Sequence, residues 1–194
     1  MQKPIERRAV RGLEVRKASK DGFIGTLVGY AAVFNSESED MCGWKEILLP
    51  GCFAKSLRES PDVFAFEQHD SDEVIARTTA GTLRVTEDDK GLAVEIDLID
   101  TQDNKDLLAN IRAGHLTSMS FGMYADSIVC TWENRPEYSL RKISECALVE
   151  VSIVTFPAYQ ATEISARSFK QFREETSTVP VSIRMAQLEL EKLR

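Results

Sequence analysis

The chain consists of many short stretches of β-type residues separated by turn residues, and this pattern restricts it to a mainly β fold. Residues 23–34, FIGTLVGYAAVF, predict a long strand whose internal glycines permit a bend. Residues 92–98 alternate apolar and polar side chains, which predicts a strand with one buried face. Residues 147–155 form the most apolar of the predicted strands. Shorter strands are predicted over residues 1–20, 44–49, 63–66, 74–77, 82–86, 116–125, 128–132 and 138–143.

Helical spacing of apolar residues is confined to a few segments. Residues 52–58 and 103–112 predict helices, and Gly114 follows the second one where a left-handed cap would lie. Residues 168–194 begin as a polar linker and end in an amphipathic stretch. We therefore expect a mainly β domain with flanking α-helices over residues 1–167, built on a closed or barrel-like sheet, and a linker with a helical tail over 168–194.

Charge and hydropathy exclude several classes of function. The formal net charge of −7 leaves no basic footprint for phosphate backbones, so we expect no nucleic-acid partner. No run of 18 apolar residues is present, which argues against a transmembrane helix and a membrane partner. Residues 1–10 are polar and do not resemble a secretory signal, which favours the cytoplasm.

The metal-ligating residue types show no ligand spacing. The cysteines at 42, 52, 130 and 146 form no C-x-x-C pair, and only two histidines could complete a site. The carboxylates give no calcium-loop spacing, and no phosphate-binding glycine loop occurs. We therefore expect no metal and no cofactor, with the cysteines as free thiols; a cysteine nucleophile is the alternative.

Ser120 is the candidate nucleophile. It lies in a short apolar run directly before Phe121 and Gly122, where a glycine would let a substrate carbonyl approach the backbone. The amide groups of Phe121 and Gly122 are candidate oxyanion donors. Ser118 shares the strand face with Ser120, so only one of them would lie opposite a given base. The alternative is that Ser120 has no catalytic role and is a small residue that packs in the strand.

His69 is the candidate general base because a neutral imidazole accepts a hydroxyl proton at neutral pH. It follows a predicted apolar strand, and the alternative is a solvated loop histidine. Asp70 is a poor orienter for its ring unless the backbone turns there, since neighbours in a strand point to opposite faces. His115, the other histidine, is predicted to be a solvated loop residue after Gly114.

Glu150 interrupts the apolar stretch LVEVSIV at residues 148–154. A carboxylate in a buried strand must be paired or hydrogen-bonded. It can therefore be an acid that orients a histidine, as the third member of a catalytic triad. The alternative, given equal weight, is a strand with one wet face that holds Glu150 and Ser152.

Several short motifs together resemble the prohead serine proteases of tailed bacteriophages and related prophages, whose fold is similar to the herpesvirus capsid-maturation protease (assemblin). The motifs are GYAAVF at 29–34, EILLPGCF at 46–53, QHD at 68–70, GL at 91–92, GHLTSMSFG at 114–122, and LVEVSIV at 148–154 with PAY at 157–159. They occur in the family's order within residues 23–167. The chain departs from the family where Gln68 replaces a common Asn, where Met123 replaces a common aromatic residue, and where Cys52 replaces the usual Ala before Phe.

The resemblance implies a barrel-like core with surrounding helices and a serine endopeptidase, with His69 as base, Ser120 as nucleophile and Glu150 as acid. Herpesvirus relatives use a second histidine as the third member, but the position of His115 does not match. The implied substrate is a scaffold protein, or the scaffolding segment of the major capsid protein, cut during virion assembly. The implied location is the immature prohead in the host bacterial cytoplasm, and the partners extend to a homodimer or larger oligomer.

Two alternatives from other classes stay open. One is a catalytically inactive capsid-assembly module that binds scaffold with the same fold. The other is a cytosolic hydrolase that uses a cysteine. For the tail, docking to the shell or scaffold, removal by self-cleavage, and packing on the core or in a dimer are all compatible with the sequence.

Overall fold

Strands dominate the part of the chain that the computed structural model describes, namely residues 4–18, 21–60, 62–155, 170 and 173. The strands are β1 (Ile5–Arg11), β2 (Leu13–Arg16), β3 (Phe23–Val33), β4 (Trp44–Leu48), β5 (Phe64–Glu67), β6 (Asp70–Arg77), β7 (Leu83–Glu87), β8 (Gly91–Ile99), β9 (Ser118–Tyr124), β10 (Val129–Asn134), β11 (Ser139–Glu145) and β12 (Leu148–Val154). The helices are α1 (Ala54–Glu59) and α2 (Gln102–Arg112), with a short 3₁₀ turn over Ala125–Ser127. The predicted boundary after residue 167 and the predicted helix of the tail lie outside the described residues.

Most predicted elements are confirmed to within a few residues. β3 and β8 match the strands predicted at 23–34 and 92–98, and α2 matches the helix predicted at 103–112. Thr101 caps α2 by accepting a hydrogen bond from the amide of Asn104, and Gly114 follows the helix with a φ of 79°. Local periodicity therefore suffices to locate these elements.

The prediction of one strand over residues 1–20 is wrong. Gly12 separates β1 from β2 with a φ of 124°, which lies in the region that glycine adopts and other residues avoid. β1 pairs with β9, whereas β2 pairs with β3. The chain therefore passes from one sheet to another at Gly12, and β1 becomes part of the sheet that carries Ser120.

The strands form three sheets. The first has five strands in the order β1-β9-β12-β5-β6, the second has four in the order β2-β3-β8-β7, and the third has three in the order β10-β11-β4. None of these sheets closes on itself within the described residues, so the expected barrel is not confirmed. The mainly β fold with few helices is confirmed.

The hydrophobic core lies against one face of the five-stranded sheet. Alternate residues of β9 and β12, Met119, Phe121, Val151 and Ile153 among them, are fully buried in it. Buried leucines and isoleucines of β3 and β8 belong to the same core. The opposite face of β9 and β12 is therefore left for polar side chains.

Four charged residues are buried together between β1, β4 and β11. This arginine–glutamate cluster consists of Glu6, Arg8, Glu46 and Arg141, each at most 3% exposed. Arg8 donates from Nε to Glu46 Oε1 at 2.7 Å and from Nη2 to Glu6 Oε2 at 2.8 Å. Arg141 Nη1 lies 3.1 Å from Glu6 Oε2 and 3.2 Å from Glu46 Oε2. The cluster thus joins the five-stranded sheet to the three-stranded one.

Mutual pairing keeps the arginines of the cluster charged. Burial alone would lower the pKa of Arg8, but the attraction of Glu46 and Glu6 and the hydrogen bonds to them outweigh it, so the pKa is raised. Removal of one partner would leave a buried carboxylate without its counter-charge, which is strongly destabilising.

We expect Arg8→Met to lower the free energy of unfolding by about 3–5 kcal/mol, because Glu6 and Glu46 would stay buried without their main partner. Urea denaturation measures this change. The matched control is Arg58→Met, since Arg58 pairs with Glu59 at the surface with exposures of 69% and 55%. It should lose about 0–1 kcal/mol. Equal losses for the two variants would contradict the role given to the cluster.

Candidate active site

The register of β9 and β12 places the candidate serine and the candidate acid on one sheet face. Ser120 lies opposite Ser152, and Gly122 lies opposite Glu150. Cross-strand partners share a face, and successive residues alternate between faces. This polar face is buried as well: Ser120 and Ser152 are 0% exposed and Glu150 is 2% exposed. The alternative of a wet strand face for Glu150 is therefore wrong.

His69 reaches this face from a tight turn between β5 and β6. Gln68 and His69 have φ values of 52° and 64°, and Glu67 pairs with Asp70 on either side of them. Two consecutive left-handed residues are the arrangement of a two-residue hairpin turn, which usually contains Asn-Gly. Left-handed conformations of residues with side chains are strained and cluster at functional sites. The turn thus fixes the direction of the His69 side chain.

Gln68 fastens this turn to the end of β12. Its amide donates to the carbonyl of Ile153 at 2.9 Å, and its side-chain Nε2 donates to Thr155 Oγ1 at 2.6 Å. The amide of Thr155 donates in return to Gln68 Oε1 at 3.3 Å. β5 and β12 are parallel neighbours, so the turn at the end of β5 is held beside the strand that carries Glu150.

The Glu150 carboxylate is hydrogen-bonded at both oxygens. Oε1 lies 2.7 Å from His69 Nδ1 and 3.5 Å from Arg7 Nε. Oε2 accepts the hydroxyl hydrogen of Ser152 at 2.5 Å. An ionised carboxylate can only accept, so His69 donates from Nδ1 and its Nε2 is left as an acceptor in the neutral ring. This is the orientation that a general base requires.

The absence of a side chain at Gly122 leaves room for the Glu150 carboxylate. A Cβ at this position would lie 2.7 Å from Glu150 Oε1 and 3.2 Å from its Cδ. Since real Cβ atoms do not approach other atoms so closely, any larger residue would displace the carboxylate. A glycine in a strand interior often marks such a close approach.

Ser120 and His69 do not share a hydrogen bond in this structure. Ser120 Oγ donates to the carbonyl of Arg8 on the neighbouring strand β1, at 2.7 Å. His69 Nε2 is buried and has no hydrogen-bond partner in the described part of the chain. The candidate base and the candidate acid are therefore in contact, whereas the hydroxyl of the candidate serine is held by the backbone. Catalytic hydrogen bonds are often loose before substrate binds.

The candidate oxyanion donors lie inside the sheet. β9 pairs with β1 on one side and with β12 on the other, and Phe121 and Gly122 are paired on both sides. Backbone amides in a paired strand point toward its neighbours. The two amides therefore face other strands, and their role as oxyanion donors stays a prediction.

The other titratable candidates lie outside this site. His115 is exposed just after α2, and its amide donates to the carbonyl of Asn110 within that helix. Asp70 is exposed and its carboxylate accepts from the amide of Asp72, which agrees with its prediction as a poor orienter. The pKa of Cys146 is raised by a hydrogen bond with Cys52 and by burial, so its thiol is a poor nucleophile.

The described residues offer neither a cluster of metal ligands nor a helix that could cross a membrane. Within the described ranges, no group of three or more His, Cys, Asp or Glu side chains is arranged to hold a metal ion. None of the helices described is long and apolar enough to span a bilayer.

Sequence reasoning gives no role in the site to three residues that contribute to it. The spacing of two residues places Ser152 on one face with Glu150, but it does not predict the hydrogen bond to the carboxylate. Gln68 carries no signal for a turn, which residues such as Asn and Gly would have given. Arg7 gives no signal either, because only the pairing of β1 with β9 brings it near Glu150.

We expect Gly122→Ala to displace the Glu150 carboxylate and break its bond to His69, because the added methyl group would lie only 2.7 Å from Oε1. Proton NMR checks this through the downfield resonance of the His69 Nδ1 proton, which should disappear. Gly25→Ala is the control, since a Cβ there meets nothing closer than the Arg16 carbonyl oxygen at 3.3 Å. An unchanged resonance in Gly122→Ala would contradict the geometry.

The comparison with family models agrees with the resemblance seen in the motifs. Residues 11–175 match the Caudovirus prohead serine protease family. The solved structures include a similar chain, the bacteriophage T4 capsid assembly protease, gp21, with 11% identity and a TM-score of 0.47 over 78% of this chain and 99% of that chain. No curated protein shows significant similarity. Because the family match extends over most of its length, the chain belongs to the prohead serine proteases of the Caudovirus family.

Proposed function

We propose that the protein is a serine endopeptidase in which His69 is the general base, Ser120 the nucleophile and Glu150 the orienting acid. The observation that carries this proposal is the part-buried 2.7 Å contact between His69 Nδ1 and Glu150 Oε1, with the buried His69 Nε2 left without a partner among the described residues. A carboxylate-bound imidazole whose other nitrogen is free to accept a proton is what activation of a hydroxyl requires.

The reaction begins when Ser120 Oγ leaves the Arg8 carbonyl and turns toward His69. Oγ attacks the scissile carbonyl carbon while its proton passes to Nε2, and Glu150 stabilises the resulting imidazolium. The proton is then given to the leaving amine as the C–N bond breaks, which leaves an acyl group on Ser120. Water deprotonated by His69 hydrolyses this ester and regenerates the hydroxyl. The chemistry uses only protein side chains and water.

Access to Ser120 is part of the mechanism. Its side chain is fully buried, and its hydroxyl donates a hydrogen bond to the Arg8 carbonyl of β1. Substrate binding must therefore both uncover this serine and change its side-chain rotamer. A serine that is inaccessible until substrate binds would restrict cleavage to one substrate at one stage of assembly.

The family supports the choice of substrate. A prohead protease acts during capsid maturation, so the proposed substrate is a scaffold protein or the scaffolding segment of the major capsid protein. The proposed location is the immature prohead in the bacterial host, where the enzyme meets these partners as a homodimer or larger oligomer. An inactive assembly module with the same fold is the alternative that the following experiments test.

Ser120→Ala should abolish cleavage of a co-expressed major capsid precursor, because the proposed mechanism activates only the Ser120 hydroxyl through His69. Intact-mass spectrometry of the precursor measures cleavage. Ser118→Ala is the matched control: Ser118 is also fully buried on the same strand face, and its hydroxyl makes no hydrogen bond to the described residues. It should retain cleavage. Retained cleavage in Ser120→Ala, with loss in Ser118→Ala, would overturn the choice of nucleophile.

Labelling by a fluorophosphonate probe separates the roles of His69 and Glu150. His69→Ala should reduce the rate of Ser120 labelling by about 10²–10⁴-fold, the usual contribution of a general base. Glu150→Gln should reduce the rate less, because it removes the orienting charge but keeps the imidazole. Wild-type protein that is neither labelled at Ser120 nor able to cleave the capsid precursor would favour the inactive assembly module instead.

A further inference from the structure

Ser152 lies between the proposed nucleophile and the proposed acid. It is the cross-strand partner of Ser120 and follows Glu150 by two residues on the same face of β12. Its side chain is 0% exposed, and its hydroxyl donates to Glu150 Oε2 at 2.5 Å. This hydrogen bond to an ionised carboxylate belongs to the strong class, because one partner is charged and both are shielded from water.

The bond determines how the carboxylate is oriented. Oε1 must face His69 Nδ1 for the ring to present Nε2 as an acceptor, and a carboxylate held at only one oxygen can rotate away. Ser152 holds the other oxygen. Without the Ser152 hydroxyl, Oε2 would lose its hydrogen bond and would be a buried charged atom. The carboxylate would then rotate toward another donor.

The same bond explains why two neighbouring buried serines can differ in role. A serine hydroxyl has one proton to donate. Ser152 gives its proton to Glu150, whereas Ser120 gives its proton to a backbone carbonyl that offers no charge. The Ser120 proton is therefore the one that a base can take, and Ser152 does not compete for His69.

We propose that Ser152 is a positioning residue that acts through Glu150, which adds a fourth member to the proposed triad of Glu150, His69 and Ser120. This inference rests on the proposed function. Arg7 lies farther from the carboxylate, with its Nε 3.5 Å from Oε1 and its side chain 43% exposed, so its contribution is secondary.

The test is the rate of Ser120 labelling by a fluorophosphonate probe in the full chain. Ser152→Ala should lower this rate by about 10- to 100-fold, which corresponds to loss of one hydrogen bond to a charged group. In the Glu150→Ala background, the same change should alter the rate by less than about twofold, because Ser152 then has nothing to orient. Ser118→Ala is the control for removing a buried hydroxyl from this face and should leave the rate unchanged.

Two further readouts separate positioning from a general loss of structure. The Ser152→Ala protein should keep its melting temperature within a few degrees, and the downfield His69 Nδ1 resonance should shift or broaden. Ser152→Cys, whose S–H is a weak donor of similar size, should label at an intermediate rate.

The outcomes distinguish this inference from the function it rests on. Wild-type labelling at Ser120 together with an unchanged rate in Ser152→Ala overturns the role of Ser152 alone. An equal loss from Ser152→Ala in the wild-type and Glu150→Ala backgrounds also overturns it, since Ser152 would then act independently of the acid. Absence of both labelling and precursor cleavage in wild-type protein overturns the proposed function, and the role of Ser152 with it.

Discussion

The architecture of the site depends on one buried charge, the carboxylate of Glu150. A carboxylate that is 2% exposed in an otherwise apolar strand is strongly unfavourable unless its oxygens are hydrogen-bonded. The surrounding elements meet this requirement together: the β5–β6 turn supplies His69, β12 supplies Ser152, and β9 supplies space at Gly122. The features that hydrogen-bond the charge in the protein interior are also those that orient the imidazole of the proposed general base.

A second buried electrostatic network determines where β1 lies. The arginine–glutamate cluster anchors Arg8 between two sheets, and the carbonyl of the same residue accepts the hydroxyl of Ser120. Arg7, its neighbour, extends to the other face of the strand and approaches Glu150. The family match begins at residue 11, so these contacts come from a segment just before it. The N-terminal strand therefore connects the stability of the fold to the resting state of the proposed nucleophile.

Much of the fold could be predicted from local patterns. The alternation in residues 92–98, the apolar run around Glu150 and the periodicity of α2 all correspond to observed elements. Three features could not be predicted in this way. The turn at Gln68 and His69 lacks the usual glycine, the break at Gly12 divides one apparent strand between two sheets, and the division into three sheets rests on pairings between distant segments. Each depends on non-local contacts that a window of sequence does not contain.

By itself, the sequence determined which side chains are available for chemistry: two histidines, an unusual glutamate in an apolar strand, and a serine before Phe-Gly. It also determined family membership, because the motifs occur in one order along the chain. Only the tertiary structure decided that Glu150 is buried rather than on a wet face, that it contacts His69 and not His115, and that Ser152 holds its second oxygen. The physical reason is that the partners of a buried charge are selected by strand register and turn geometry, which arise only when distant segments pack together.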